Sequence, residues 1–174
     1  AYPKYELILE TRAWSSLPTL LRRAQVDLIV GDISSPYVRE EFETFPIQQS
    51  TVACFCTPDH PLTKHQPLKL PEVFEHPLVL CGAPTWARDY MQKHMPDFEF
   101  RDSPATIRVE DYRFIREIIL QGKHCTFGFA PYFQEDLESG RLVALELEDA
   151  PTTQAGVAIQ KSEQVTQPVQ DAID

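Results

Sequence analysis

One stretch constrains the fold of this chain more than any other: residues 51–62, Thr-Val-Ala-Cys-Phe-Cys-Thr-Pro-Asp-His-Pro-Leu. Its first half is a β-branched, aromatic and small apolar run. Polar Gln48, Gln49 and Ser50 precede it and a proline follows, which is the pattern of a largely buried strand. Pro58 and Pro61 have no backbone N–H to give a sheet, so they end the pairing and force a surface turn. A short α/β pattern lies before this stretch, and another begins after it with its own strand and helices. Residues 51–57 are therefore expected to leave one α/β lobe and enter a second.

A chain of 174 residues is long enough to bury the core that such a two-lobed plan needs. Hydrophobic content of 43% with 24% charged residues is ordinary for a globular protein. No run approaches the roughly 20 apolar residues of a membrane span. The formal charge of −10 argues against these residues gripping nucleic acid, because phosphate contacts need a basic stripe. The four cysteines lack zinc-ribbon spacing, and a chain of this size needs no disulfide staples. The first residues, Ala-Tyr-Pro-Lys-Tyr-Glu, lack the basic-then-apolar layout of a secretory signal. A reducing cytoplasm is the expected compartment.

In chain order, residues 5–10 read as a strand. Arg12, Trp14, Ser15 and Ser16 then precede a helix carrying Leu17, Leu20 and Leu21, with Pro18 tolerated in its first turn and an end near Ala24. Residues 26–31, Val-Asp-Leu-Ile-Val-Gly, read as a buried strand of parallel-sheet type, completing a βαβ unit. Residues 32–50 carry one expected strand near 43–48. In the second half, residues 70–76 are a helix, 77–81 a strand, and 86–95 an amphipathic helix with Trp86, Tyr90 and Met91 towards one side. Residues 98–100 are a strand edge and 107–109 a strand end. Glu110 and Asp111 then cap a helix on which Tyr112, Ile115, Ile118 and Ile119 recur at helical spacing, closed by Gly122. A strand at 125–130, a helix at 132–138, strands at 142–147 and 153–160, and a weak helix at 165–173 complete the reading.

These pieces, in this order, carry a resemblance. Tyr2-Pro3 with its strand, the helix, Val26-Asp27-Leu28-Ile29-Val30-Gly31, Pro58-Asp59-His60-Pro61-Leu62 and Leu70-Pro71-Glu72-Val73-Phe74 come first. Pro77-Leu78-Val79-Leu80, Phe127-Gly128-Phe129-Ala130-Pro131 and Leu137-Glu138-Ser139-Gly140-Arg141-Leu142-Val143 follow. Together they resemble the effector-binding domain of LysR-type transcriptional regulators. The resemblance implies an α/β fold of two Rossmann-like lobes joined by two crossing strands, similar to type II periplasmic binding proteins. The crossings are expected at 51–57 and 125–130, so one lobe comprises 1–50 with 129–174 and the other 51–128. It further implies a small-molecule effector between the lobes, self-association as a dimer or tetramer, no cofactor and no catalysis. DNA contact would come only through a helix-turn-helix domain absent from this chain, which reads as a fragment lacking a central strand and helix as well.

In such a fold, ligands meet strand C-termini and helix N-termini. That places Arg12, Trp14, Ser15, Ser16 and Asp32 on one side and Thr85, Thr106 and Glu110 on the other. Arg12 reads either as a bidentate partner for a carboxylate or as a solvated loop charge, and Ser15 either as a hydroxyl donor or as a helix cap. Asp32 and Glu110 would favour a ligand that also carries a cationic group.

Other chemical signals are weaker. Cys54 and Cys56 alternate onto one face of a strand, yet buried cysteine usually behaves as a small hydrophobe. His124 and Cys125 are adjacent in a strand and so point to opposite faces, which opposes a catalytic dyad. His60 reads as a turn residue rather than a general base. Cys81 and Cys125 do not reproduce the cysteine spacing of redox-sensing members of the resembled family. Gly122-Lys123-His124-Cys125 departs from that family's Gly-x-Gly approach to the return strand. A periplasmic solute-binding protein is the alternative function on this fold. An enzyme would need a convergent acid, base or nucleophile that Asp32, Glu110 and Arg12 do not specify.

Overall fold

The computed structural model describes residues 6–12, 14–82, 85–98, 106–161 and 166–173. The chain forms two units, Ala1–Gln49 with Gln154–Asp174, and Ser50–Thr153.

In the first unit a 3-10 turn, Trp14–Ser16, runs into α1, Leu17–Arg22, with Pro18 in the first turn. The helix stops earlier than Ala24. Ala24 takes a positive φ of 52°, its N–H bonds to the Leu21 carbonyl, and the Gln25 N–H bonds to the Leu20 carbonyl. These two bonds satisfy the orphan carbonyls of the last turn. Strand β1, Leu28–Asp32, pairs with the last strand of the chain, Thr152–Gln160, from Leu28 opposite Ile159 to Asp32 opposite Ala155. The pairing is antiparallel, so the expected parallel-type strand is corrected. Its outward face is open as well, with Val30 at 62% exposure.

Helix α2, Pro36–Glu41, and strand β2, Phe42–Thr51, follow. Proline at N1 pre-sets φ for the helix, and Val38 is its buried residue. The expected strand at 5–10 does not form over the described residues 6–10, where Leu7, Ile8 and Leu9 are exposed and bridge to no other strand. An apolar run without a partner has nothing to bury against, so pattern alone does not make it a strand. The core of the unit gathers Leu21, Ile29, Ile33, Val38, Phe42 and Ala158, with Trp14, Leu17 and Val26 packed against it.

Gly31 sits under the Trp14 ring: a Cβ there would lie 2.3 Å from the indole. Gly31→Ala is expected to destabilise this unit by about 1–3 kcal/mol, since overpacking must displace a ring held in the core. A lowered urea midpoint followed by Trp fluorescence checks it.

In the second unit β3, Ala53–Cys56, is the middle strand of a three-stranded antiparallel sheet. Its neighbours are β6, Thr126–Gly128, and β7, Val143–Leu145. A separate parallel pair joins β4, Val79–Leu80, to β5, Ile107–Arg108. The helices are α3, Leu70–Phe74; α4, Thr85–His94; α5, Tyr112–Ile119; and α6, Gln134–Glu138. The last strand of the first unit, Thr152–Gln160, is β8, and α7, Gln167–Ile173, ends the described chain. The expected strand edge at 98–100 falls mostly outside the described residues.

Alternation along β3 builds two cores. Cys54 and Cys56 enter one with Val52, Leu62, Leu68, Val73, Phe74, Leu78 and Cys125. Phe55, on the opposite face, enters the other with Val79, Ile115, Ile119, Phe133 and Leu142. The chain passes from the first unit to the second within β2 and returns within β8. The sequence reading places the return at 125–130 instead. There β6 is paired with β3, and Phe133 and Leu142 beyond it share a core with Phe55, which keeps residues 129–153 in the second unit.

Candidate functional site

The second unit holds Thr85 and Glu110 beyond the C-terminal ends of its parallel pair, and Thr106 at the opposite end, at the start of β5. Strands β4 and β5 run side by side, and α4 and α5 begin just beyond their C-terminal ends. Side-by-side parallel strands feeding helices bring loops and helix N-termini together, the usual place for a ligand on an α/β sheet. Thr85 opens α4. Thr106, partly buried, leads into β5, and Glu110, exposed, follows it. Burial is the main reason that the Cys81 thiol at the end of β4 sits above its ordinary pKa, with a further rise from the charges of Glu110 and Asp111. Those charges therefore lie around the same strand ends.

Helix α5 is capped by its own carboxylate. Asp111 accepts the Arg113 backbone N–H at 2.9 Å, and the Arg113 guanidinium holds both its oxygens at 2.6–3.1 Å. The hydrogen bonds from Arg113 hold the Asp111 carboxyl below its usual range. The first turn of α5 therefore already has an anion. Sequence reasoning recognised the cap but not the arginine clamp on it; an Asp-x-Arg step at a helix start is the signal available.

In the first unit the candidates separate. Arg12 is exposed and pairs with Glu10 at 2.7 Å. Ser15 is exposed and Ser16 partly buried in the 3-10 turn, and Ser16 makes no side-chain cap for α1. The expectation of Ser15 as a helix cap is therefore displaced by one residue: Ser16 holds the N-cap position of α1, without a side-chain capping bond. Trp14 packs on Gly31 and the core, so its ring supports the turn that presents Ser15.

Asp32 is committed locally. Its carboxylate accepts the Ser34 N–H at 2.8 Å, the Ser34 hydroxyl accepts the Gln154 N–H at 2.6 Å, and Arg39 donates to the carbonyls of Ile33 and Ser34. Asp32 thus shapes the loop between β1 and α2 as an Asx turn. Ser34 and Arg39 were not anticipated as parts of it.

Two of the buried thiols, Cys54 and Cys56, are held above the ordinary thiol range. A hydrogen bond with Cys125, followed by burial, raises Cys54 well above its ordinary pKa, and burial pushes Cys56 up to about 12. The thiolate is the reactive form, so protonated buried thiols are poor nucleophiles. Among the described residues no group of His, Cys, Asp and Glu has the arrangement to hold a metal ion. None of their helices is long and apolar enough to cross a membrane.

Comparison with known proteins shows the family and the fold of the chain. The family model described as LysR substrate binding domain matches residues 1–174. The regulatory domain of MetR, a LysR family regulator from N. meningitidis, is similar with a TM-score of 0.72 and 18% identity, over 99% of this chain and 78% of that one. The regulatory domain of CcmR from Synechocystis PCC6803, solved in complex with 2-PG, gives a TM-score of 0.75 at 14% identity, over 99% and 82% of the two chains. Full-length HypT from Salmonella typhimurium, a hypochlorite-specific LysR-type transcriptional regulator, gives 0.69 at 13% identity, over 98% of this chain and 57% of that one. At these identities the solved structures establish a shared fold. No curated protein sequence matches the chain.

Proposed function

Because the chain belongs to the LysR substrate binding domain family, we propose that it senses a small anionic effector for a transcriptional regulator whose DNA-binding domain lies outside these residues. The observation that carries this reading is the family match along the whole chain. The regulator acts in the cytoplasm, as a dimer or tetramer, and effector binding shifts its population of arrangements and with it the spacing of its DNA-binding domains. The domain binds its effector and does no chemistry on it.

The proposed contacts in the first unit are Arg12, Ser15 and Ser16; Trp14 packs beneath the turn that carries the serines, and Asp32 shapes the loop after β1. In the second unit they are Thr85, Thr106 and Glu110. Arg12 is the natural anion partner. Its pair with Glu10 joins two half-exposed side chains, an interaction of about 0–1 kcal/mol that an incoming carboxylate readily replaces. Glu110, exposed, suits a cationic group on an effector.

Calorimetry tests the assignment, with 2-PG and a panel of small carboxylates as probes. For whichever probe binds, Ser15→Ala is expected to weaken binding by about 0.5–1.5 kcal/mol and Arg12→Ala by about 1.5–3 kcal/mol, the values for a neutral and a charge-assisted hydrogen bond. Unchanged affinity in both variants moves the ligand elsewhere.

A further inference from the structure

The turn that follows β3 carries a buried imidazole, His60, that the effector site does not use. His60 is only 2% exposed. Its carbonyl accepts the Thr63 N–H at 3.0 Å and the Thr63 hydroxyl at 2.8 Å, and its own N–H donates to the Thr57 carbonyl at 3.0 Å. Its ring Nδ1 accepts the Leu62 N–H at 3.3 Å, capping the 3-10 turn Pro61–Lys64. A backbone N–H can only donate, so Nδ1 must carry a lone pair and the ring must be the neutral Nε2–H tautomer. Protonation would place a hydrogen on Nδ1, facing the N–H it now receives.

The surroundings give a second reason. The His76 ring, just beyond α3, stands edge-on with its centroid 5.0 Å from that of His60. His124, ahead of β6, contributes a buried Nδ1 with no hydrogen-bond partner among the described residues. The charged neighbours on these three segments, Asp59, Glu75 and Lys123, are exposed. The neighbouring imidazoles of His76 and His124 both oppose protonation of His60.

We infer that His60, His76 and His124 form an acid-sensitive latch on the second unit, closed when His60 is neutral and released when it is protonated. Burial first, then the neighbouring imidazoles, lowers the His60 pKa from its ordinary 6.5. With the folded value below the unfolded one, the unfolded chain takes up the proton more readily. The latch contributes its full stability above the unfolded pKa and loses it as pH falls from there towards the folded value. The turn it caps carries Leu62 into the core shared with Cys56 and Phe74, so release is felt through that core.

The test compares the intact chain with His60→Asn, whose side-chain oxygen can accept the Leu62 N–H and does not titrate, and with His76→Gln. Between about pH 7.5 and about pH 5.5 the melting temperature of the wild type is expected to fall by roughly 2–4 °C more than that of His60→Asn. His76→Gln is expected to raise the pH at which His60 titrates. Long-range proton–nitrogen spectra of histidine-labelled wild type should show His60 as the Nε2–H tautomer at neutral pH. Parallel pH profiles of wild type and His60→Asn would overturn the latch, as would an Nδ1–H tautomer of His60 at neutral pH. If His60→Asn does not fold, the wild-type spectrum decides alone.

Discussion

Phe55→Ala is expected to cost about 3–5 kcal/mol, a large part of the roughly 5–15 kcal/mol that holds a domain together. Phe55 has no solvent exposure and lies in the middle strand of the second unit's main sheet, between Thr126 on β6 and Ala144 on β7. Its ring meets Phe133 with centroids 4.6 Å apart, and Val79, Ile115, Ile119 and Leu142 complete the cluster. Truncation removes the transfer free energy of a phenyl ring. It also leaves a cavity walled on one side by backbone that cannot collapse without breaking sheet hydrogen bonds. Phe114→Ala is the matched control: the same residue type in the same unit, 64% exposed on α5, is expected to change stability by no more than about 0.5 kcal/mol. Urea unfolding of both variants measures the difference. Equal midpoints would show that β3 does not divide the unit into two cores as described.

The second large effect concerns a buried charge. Asp136, on α6, has a side chain only 1% exposed. Arg116, on α5, donates to it through Nε at 2.6 Å and through a terminal nitrogen at 2.9 Å, while Arg141 adds one contact at 2.8 Å. The two arginines are not equivalent. Arg116 is mostly buried and bidentate, whereas Arg141 is half exposed and reaches in from one side. Arg116→Met leaves a carboxylate in the interior with a single, water-accessible partner, and is expected to cost about 3 kcal/mol. Arg141→Met leaves the bidentate pair intact and is expected to cost no more than about 1 kcal/mol. In an Asp136→Asn background the Arg116→Met cost should shrink, because no charge is left stranded. Urea unfolding of Arg141→Met beside the Arg116/Asp136 double-mutant cycle reads all three numbers, and equal costs for the two arginines would refute the asymmetry.

The order of elements was largely legible because most of it is written locally. The run at 51–57, the isoleucine spacing of α5, and Asp111 ahead of it each state their structure within a few residues. Long-range pairing is not written that way. That β1 would lie antiparallel beside β8 depends on a partner more than 120 positions later, and a buried apolar strand looks the same for either direction. Helix α2 was missed because six residues with Val38 as the one buried side chain give no periodicity; Ser35-Pro36 at its start was the readable sign.

Of the candidate site, residue types were readable and commitments were not. Nothing local says that Trp14 would spend its ring on Gly31, or that Asp32 would spend its carboxylate on Ser34. Arg12, Ser15, Ser16, Thr85, Thr106 and Glu110 keep the role proposed for them, as the contacts that ligand binding will test.

The melting temperature of the chain across a panel of small carboxylates and aromatic acids tests the central claim most directly. A ligand that binds only the native state at about a hundred times its Kd adds about 2.7 kcal/mol, a rise of roughly 5–10 °C for a chain of this length. The account predicts a saturable rise with at least one small anion, much reduced in the Arg12→Ala, Ser15→Ala double variant. A panel in which no anion raises the melting temperature, or a rise undiminished in that variant, contradicts it.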